Sequence, residues 1–300
     1  MKSKWTCRAG LQLELLNLRS QHVDRLSNLP NHIIQHILSF LDAKYAVQTS
    51  VLAKGWRNLW TSVHVLHLNS NSFRRLGRFK KFVVAVLNKL NHNSTAGTFI
   101  FSYRGRIDDY LKKRVIYFAT VHGIDHLVLD MGCKRPPVSQ ELLSCQTLKT
   151  IKLKNATFTT SFGFSKLTTL HLKHYSRFLK YQDPNCSIYR ESHVVDLSVI
   201  NLPSLQHADV DVFLSYEEEN KDIQCLLKFF QGLYNVQSAT LSYSTIQALN
   251  GVPGLELQQS PFSRLSLKLT HPSDCSFPIP VKVAKYLCNG SPTPDTILVE

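Results

Sequence analysis

Apolar residues recur along this chain with two different periods, and the change of period divides it. Leu29, Ile33, Ile37 and Leu41 recur every fourth residue, with Ile34 and Leu38 as a parallel second stripe, which predicts a helix over residues 29–41 that is apolar on more than one side. Pro30 suits the first turn of that helix, where its missing N–H would be unpaired anyway. A second helix over residues 43–53 and a short third over 54–60 follow with almost no linker, bringing Val47, Val51, Leu52, Trp56, Leu59 and Trp60.

From residue 63 the period switches towards two. Residues 63–68 alternate like a strand, 79–90 have helical spacing, 98–103 are extended, 108–121 read as a helix and 124–129 as a strand. Strand and helix alternating at this pace predict parallel strands with helical returns. The pattern apolar-x-x-apolar-x-apolar recurs at Ile124-Leu127-Leu129, Leu148-Ile151-Leu153, Leu167-Leu170-Leu172, Leu205-Ala208-Val210, Val236-Ala239-Leu241 and Phe262-Leu265-Leu267. Several of these spacings fall near the roughly 20–29 residues of a leucine-rich repeat. The gap between the third and fourth copies is longer and holds a degenerate copy at Val194-Leu197-Val199. Two readings are open at this point, a repeat array or an ordinary α/β domain whose strands share the alternation.

A three-helix unit of this size cannot hide two apolar stripes in its own core, because folds below roughly 40 residues need outside support. Either the following segment covers the second stripe, or a partner does.

Composition sharpens the division. The chain has 300 residues, 43% of them apolar, enough for a packed core, and a net charge of +14. Residues 1–120 hold 19 Lys/Arg against 5 Asp/Glu, and residues 121–300 hold 16 against 16. The front thus carries a positive field that attracts acidic proteins or nucleic acid alike. Seven cysteines stand singly with no Cys-x-x-Cys pair, which fits reduced thiols. Gln12, Glu14 and Asn17 interrupt the first leucine-rich run, so no cleavable leader is expected, and no window has the roughly 18 apolar residues of a membrane span. The expectation is an intracellular chain, in nucleus or cytoplasm, without membrane contact.

No phosphate-cradling Gly-rich loop, Gly-x-Ser-x-Gly elbow or His-Glu-x-x-His helix occurs. His193 with Cys186, and His271 with Cys275, approach metal-ligand spacing, but neither has a second pair to complete a tetrahedral set. No metal, cofactor or catalytic residue is expected. Arg74, Arg75, Arg78, Lys80 and Lys81 form a basic cluster that reads as a solvated helix start or as a phosphate-binding patch. Glu217–Glu219 read as an exposed acidic loop ahead of a helix over 223–230.

The residues of the front segment carry a resemblance. Asp24-Arg25-Leu26-Ser27, Leu29-Pro30, His36 to Leu41, Ala46-Val47, Thr49 to Leu52, Lys54, Trp56-Arg57 and Leu59-Trp60 together resemble the F-box of plant F-box/leucine-rich-repeat proteins. Leu142 to Lys149, Phe164 to Leu167, and a stretch from Val283 to Pro292 that is similar to the family's C-terminal end extend the resemblance over most of the chain. There are two departures. Gly55 stands where the family usually has Arg before the Trp, and Asp42-Ala43 replaces a commoner Pro-containing pair.

The resemblance implies a fold and a function. The fold is α/β, a three-helix F-box followed by an irregular leucine-rich-repeat solenoid with a parallel sheet. The expected organisation is an N-terminal extension over 1–20, the F-box over 21–62, and the repeats with a C-terminal cap over 63–300. The family role is that of a non-catalytic substrate-recognition subunit of a Skp/cullin/F-box ubiquitin ligase. Leu26, Leu29, Pro30, Ile33, Ile37, Leu38, Val51, Trp56 and Leu59 match the family's positions for packing and for docking the Skp-type adaptor, and through it a cullin. The residues between the repeat anchors, Lys152, Lys154, His171, Lys173, Asp209, Asp211 and Ser242, would share one face and contact an unknown target protein. Other classes are a basic nucleic-acid-binding or ligase-independent scaffold protein with a vestigial F-box, and, last, an enzyme.

Overall fold

A computed structural model describes residues 29–90, 96–105, 107–131, 142, 145–154, 162–175, 200–213, 220–262, 265–270, 279–288 and 297–299. Leu26, the degenerate copy at 194–199 and the acidic run at 217–219 lie outside these residues.

The first helix, α1 (Asn31–Ser39), starts behind Pro30, whose extended ψ and free carbonyl begin the turn and accept from the N–H groups of Ile33 and Ile34. The second, α2 (Ala43–Gln48), is capped by Asp42, whose Oδ1 accepts from the Lys44 N–H at 2.8 Å. It ends sooner than the apolar spacing predicts and tightens into a 3-10 turn at Thr49–Val51. The hydroxyls of Thr49 and Ser50 donate to the carbonyls of Ala46 and Arg57, and such side-chain bonds compete with a continuing helix. The expected third helix is two 3-10 turns, Lys54–Trp56 and Leu59–Ser62. Extended backbone at Ala53 separates the first of them from what precedes, and Gly55 weakens any longer helix there by about 1 kcal/mol relative to alanine.

Strand β1 (Val65–Asn69) opens a parallel sheet. Among the described residues nine strands form it, in the order β1, β2 (Thr98–Ser102), β3 (His126–Asp130), β4 (Thr150–Lys154), β6 (Thr169–Tyr175), β8 (His207–Phe213), β9 (Ser238–Ser242), β10 (Ser266–Thr270) and β11 (Ile297–Val299). The short strands β5 (Phe162–Gly163) and β7 (Ile200–Asn201) pair with each other outside it. Returning helices are α3 (Leu76–Leu90), α4 (Asp109–Val121), α5 (Asn220–Gln231), α6 (Tyr243–Asn250) and α7 (Val281–Leu287).

Alternation explains the strands. Leu66, Phe99, Leu127, Ile151, Leu170, Ala208, Ala239 and Leu267 lie opposite one another in register, as do Leu68, Phe101, Leu129, Leu153, Leu172, Val210, Leu241 and Leu269. All sixteen are buried, so a one-residue slip of any strand would turn its apolar set to water. The repeating unit also has a backbone mark. The carbonyls of His64, Gly97, Asp125, Lys149, Thr168 and Gln206 each accept two successive N–H groups from the start of the next unit, at 2.8–3.1 Å. Units therefore begin at Val63 and Ala96, two copies earlier than the six-fold pattern. The last copy is shifted as well, because Leu267 and Leu269, not Leu265 and Leu267, face Ala239 and Leu241.

At β9 the chain passes straight into α6. Ser242 caps that helix, and the Thr245 hydroxyl takes the place of a continuing strand beside β8. It donates to the Val210 carbonyl and accepts from the Val212 N–H, both at 2.9 Å.

Both front helices pack on β1, and Ile34, Leu38, Ala43, Ala46, Trp56 and Trp60 belong to the same buried cluster as the strands. The first unit of a repeat array exposes an apolar end that needs such a cap. A polar clasp fixes the cap: Asp42 Oδ2 accepts from Ser72 Oγ at 2.9 Å, and Lys44 Nζ donates to the Ser72 carbonyl at 2.6 Å. The Asp42-Ala43 departure thus supplies both a helix cap and a tie to the loop after β1.

Candidate functional site

Residues marked for adaptor docking separate into two sets. Leu38 and Trp56 lie in the core, and Leu29 and Leu59 are half-buried against it. Pro30, Ile33, Ile37 and Val51 are exposed, Val51 at 87%. The second stripe of α1, Ile34 and Leu38, is covered by the following segment, and the first stripe is left open at Ile33 and Ile37. Phe40, 75% exposed, continues that open stripe seven residues after Ile33, with its ring edge-on to His36 at 4.9 Å. Leu52, next to Val51, is 68% exposed. Covering a side chain of this size is worth about 1.5–3 kcal/mol, so the patch is energetically unfinished as it stands. Phe40 and Leu52 were not among the docking residues read from the sequence, although the spacing from Ile33 through Ile37 to Phe40 carried the signal for Phe40.

Gly55 is exposed in its 3-10 turn, and a Cβ built on it meets nothing within 4 Å. The missing cation is therefore not excluded by crowding.

A second surface is the outward face of the sheet. Register places Lys152, His171 and Asp209 in one row and Lys154, Lys173 and Asp211 in the next, across β4, β6 and β8. Six of the seven residues expected on this face are thus brought together, at strand spacings of roughly 4.8 Å. Ser242 is the correction: it is 9% exposed, and its hydroxyl serves Thr245 and the cap of α6. Position in the repeat could not reveal that β9 ends there.

The face carries its own charge pairing. Lys154 meets Asp130 at 3.1 Å, His171 Nδ1 lies 2.9 Å from Asp209, and Lys173 meets Asp211 at 2.9 Å. Asp130 was missed from the sequence, although it occupies the place of Lys154 one unit earlier. Continuing Lys152's row towards β1 are Val128, Ile100 and His67.

The basic front is only partly compensated. Asp108 caps α4 through the Leu111 N–H and pairs with Lys80, whose ammonium holds the Asp108 carboxyl below the usual carboxylate range. Asp109 pairs with Lys112 at 3.4 Å. Arg74, Arg75, Arg78 and Lys81 are exposed and have no ion pair among the described residues. Also among the described residues, no group of three His, Cys, Asp or Glu could hold a metal ion, and no helix is long and apolar enough to cross a membrane.

Comparison with known proteins places these surfaces in context. A family model described as the F-box domain matches residues 26–68, which span α1, α2, the 3-10 turns and most of β1. An F-box protein of Arabidopsis thaliana is 25% identical over 313 residues, covering 81% of this chain and 77% of that protein. An F-box/LRR-repeat protein of the same plant is 38% identical over 137 residues, 44% of this chain and 22% of the relative. F-box/LRR-repeat protein 13 of Arabidopsis thaliana is 32% identical over 141 residues, 45% of this chain and 31% of the relative. The match to the two LRR-repeat relatives thus spans less than a third of their own length. The chain thus carries an F-box segment at its front with a parallel sheet of repeated units behind it, and it is similar to F-box and F-box/LRR-repeat proteins of plants.

Proposed function

We propose that this protein is the substrate-recognition subunit of a Skp/cullin/F-box ubiquitin ligase, docking a Skp-type adaptor at the front and a target protein on the outward face of its leucine-rich-repeat solenoid. The observation that carries the first half is the exposed apolar stripe of Ile33, Ile37 and Phe40 along α1, together with the exposed Val51 and Leu52, within the F-box match. Contiguous exposed apolar side chains on an otherwise packed fold mark a protein interface. The second half is supported by six polar side chains presented in two rows on a rigid sheet.

The mechanism is proximity. Holding adaptor and target on one rigid body raises the effective concentration of target lysines near a ubiquitin-charged enzyme carried by the cullin, without bond chemistry in this chain. Single continuity of core from α1 to α7 favours such a rigid spacer.

Exposure of Arg74, Arg75, Arg78 and Lys81 is the observation that favours a second reading, binding to nucleic acid. Salt separates the two, because phosphate contacts weaken steeply with ionic strength and apolar docking does not. The test is co-purification of the full chain with a Skp-type adaptor at low and moderate salt, beside Ile33→Asp/Ile37→Asp. Binding that survives salt and is lost in the double variant supports the ligase reading. Failure of the unaltered chain to bind removes it.

A further inference from the structure

We propose that the outward face of the sheet takes an acidic segment of its target, a carboxylate seated at Lys152 with an apolar side chain beside it on Val128 and Ile100. The inference rests on the reading of this face as the target-binding surface and adds the chemistry of what binds there.

Charge accounting on the face carries it. Each carboxylate in the two rows is already engaged, Asp130 by Lys154, Asp209 by His171 and Asp211 by Lys173. A basic segment would have to compete with those contacts to reach an anion. Lys152 differs: it is exposed on β4 and has no acidic partner among the described residues, with Val128 as its register neighbour on one side and His171 on the other. It is the cation of these rows that an incoming carboxylate can meet without competition, and a pair covered from water is worth more than a solvated one.

The neighbours define the rest of the footprint. Towards β1 the row continues through Val128 and Ile100, both half-buried and apolar. Strands lie roughly 4.8 Å apart, so Lys152 and Ile100 are separated by about 10 Å. An extended chain rises about 3.3 Å per residue, which sets the apolar side chain two or three residues from the acid in a segment crossing the strands.

The test is selection of phage-displayed random linear peptides on the full chain, with Lys152→Glu, Lys152→Gln and Val128→Ser in parallel and the melting temperature of each variant measured as a control. The unaltered chain should enrich peptides with Asp or Glu two or three residues from Leu, Ile, Val or Phe. Lys152→Glu should weaken those peptides about tenfold or more and enrich Lys or Arg instead. Lys152→Gln should weaken them about threefold, and Val128→Ser should relax the apolar preference alone. No enrichment, enrichment without acids, or a preference indifferent to Lys152→Glu overturns the inference. Adaptor binding, measured on the same preparations, reports on the ligase reading separately. Lys152→Glu leaves it intact, and a chain that selects acidic peptides without holding the adaptor keeps the face and loses the ligase role.

Discussion

The two exposed surfaces of this protein are unfinished in different ways. On α1 and the turn after α2, Phe40, Val51 and Leu52 keep most of their surface in water, and Ile33 and Ile37 keep 38% and 40% of theirs. On the sheet, the exposed side chains are polar and largely satisfy one another through Asp130–Lys154, His171–Asp209 and Lys173–Asp211. The difference teaches what each surface can give to a partner. Covering the first releases hydrophobic free energy whatever the partner's detail, which suits a constant adaptor. Covering the second yields little unless the incoming groups match the pairing, which suits selection among targets.

The sharpest break between the regions is in stability. Phe101→Ala, at a fully buried position of β2, should cost about 3–5 kcal/mol, whereas Ile37→Asp on the open stripe should change stability by about 0.5 kcal/mol or less. Denaturant unfolding of both variants checks the contrast. Equal losses would mean that the stripe is not free.

Next is Thr245→Val, which leaves the Val210 carbonyl and Val212 N–H without their hydroxyl partner. It should cost about 1–3 kcal/mol, with faster hydrogen exchange at Val212, and should not affect adaptor binding.

Legibility in the sequence followed locality. The rows from Leu127 and Leu129 onward were readable because strand burial has period two, yet the same period hid the phase of the last copy. Leu265, Leu267 and Leu269 alternate equally well, and only pairing with β9 decides between them. The two stripes of α1 were readable as stripes. Which one faces inward depends on β1, whose contact with α1 no local pattern encodes. Likewise the polar rows were foreseen, but not their ion pairs, because Asp130 and Lys154 meet only once the register is known. The tightening into 3-10 turns after Gln48 was missed because the hydroxyls of Thr49 and Ser50 compete with a helix that the apolar spacing alone supports.

A smaller effect is expected from pH. The Asp108 carboxyl is held below its ordinary value of 3.8 by Lys80 and the Leu111 N–H. The depressed value means that its contribution is present above about pH 4 and fades as pH falls through the folded value. Both side chains are about a third or more exposed, so the loss should be below about 1 kcal/mol. Unfolding between pH 5 and about 2, compared with Asp108→Asn, measures it. The variant should flatten that part of the profile while leaving adaptor docking unchanged.

Smallest is Gly55→Arg. The open space around Gly55 admits the side chain, and the added cation should raise affinity for an acidic adaptor by no more than about fivefold, an increase that salt removes.

The most direct test of the account is hydrogen exchange of the full chain with and without a Skp-type adaptor. The account predicts slowed exchange across Asn31–Ser39 and the segment from Ala43 to Val51, with β4, β6 and β8 unchanged. Protection of the sheet strands instead, or of neither region, would contradict it.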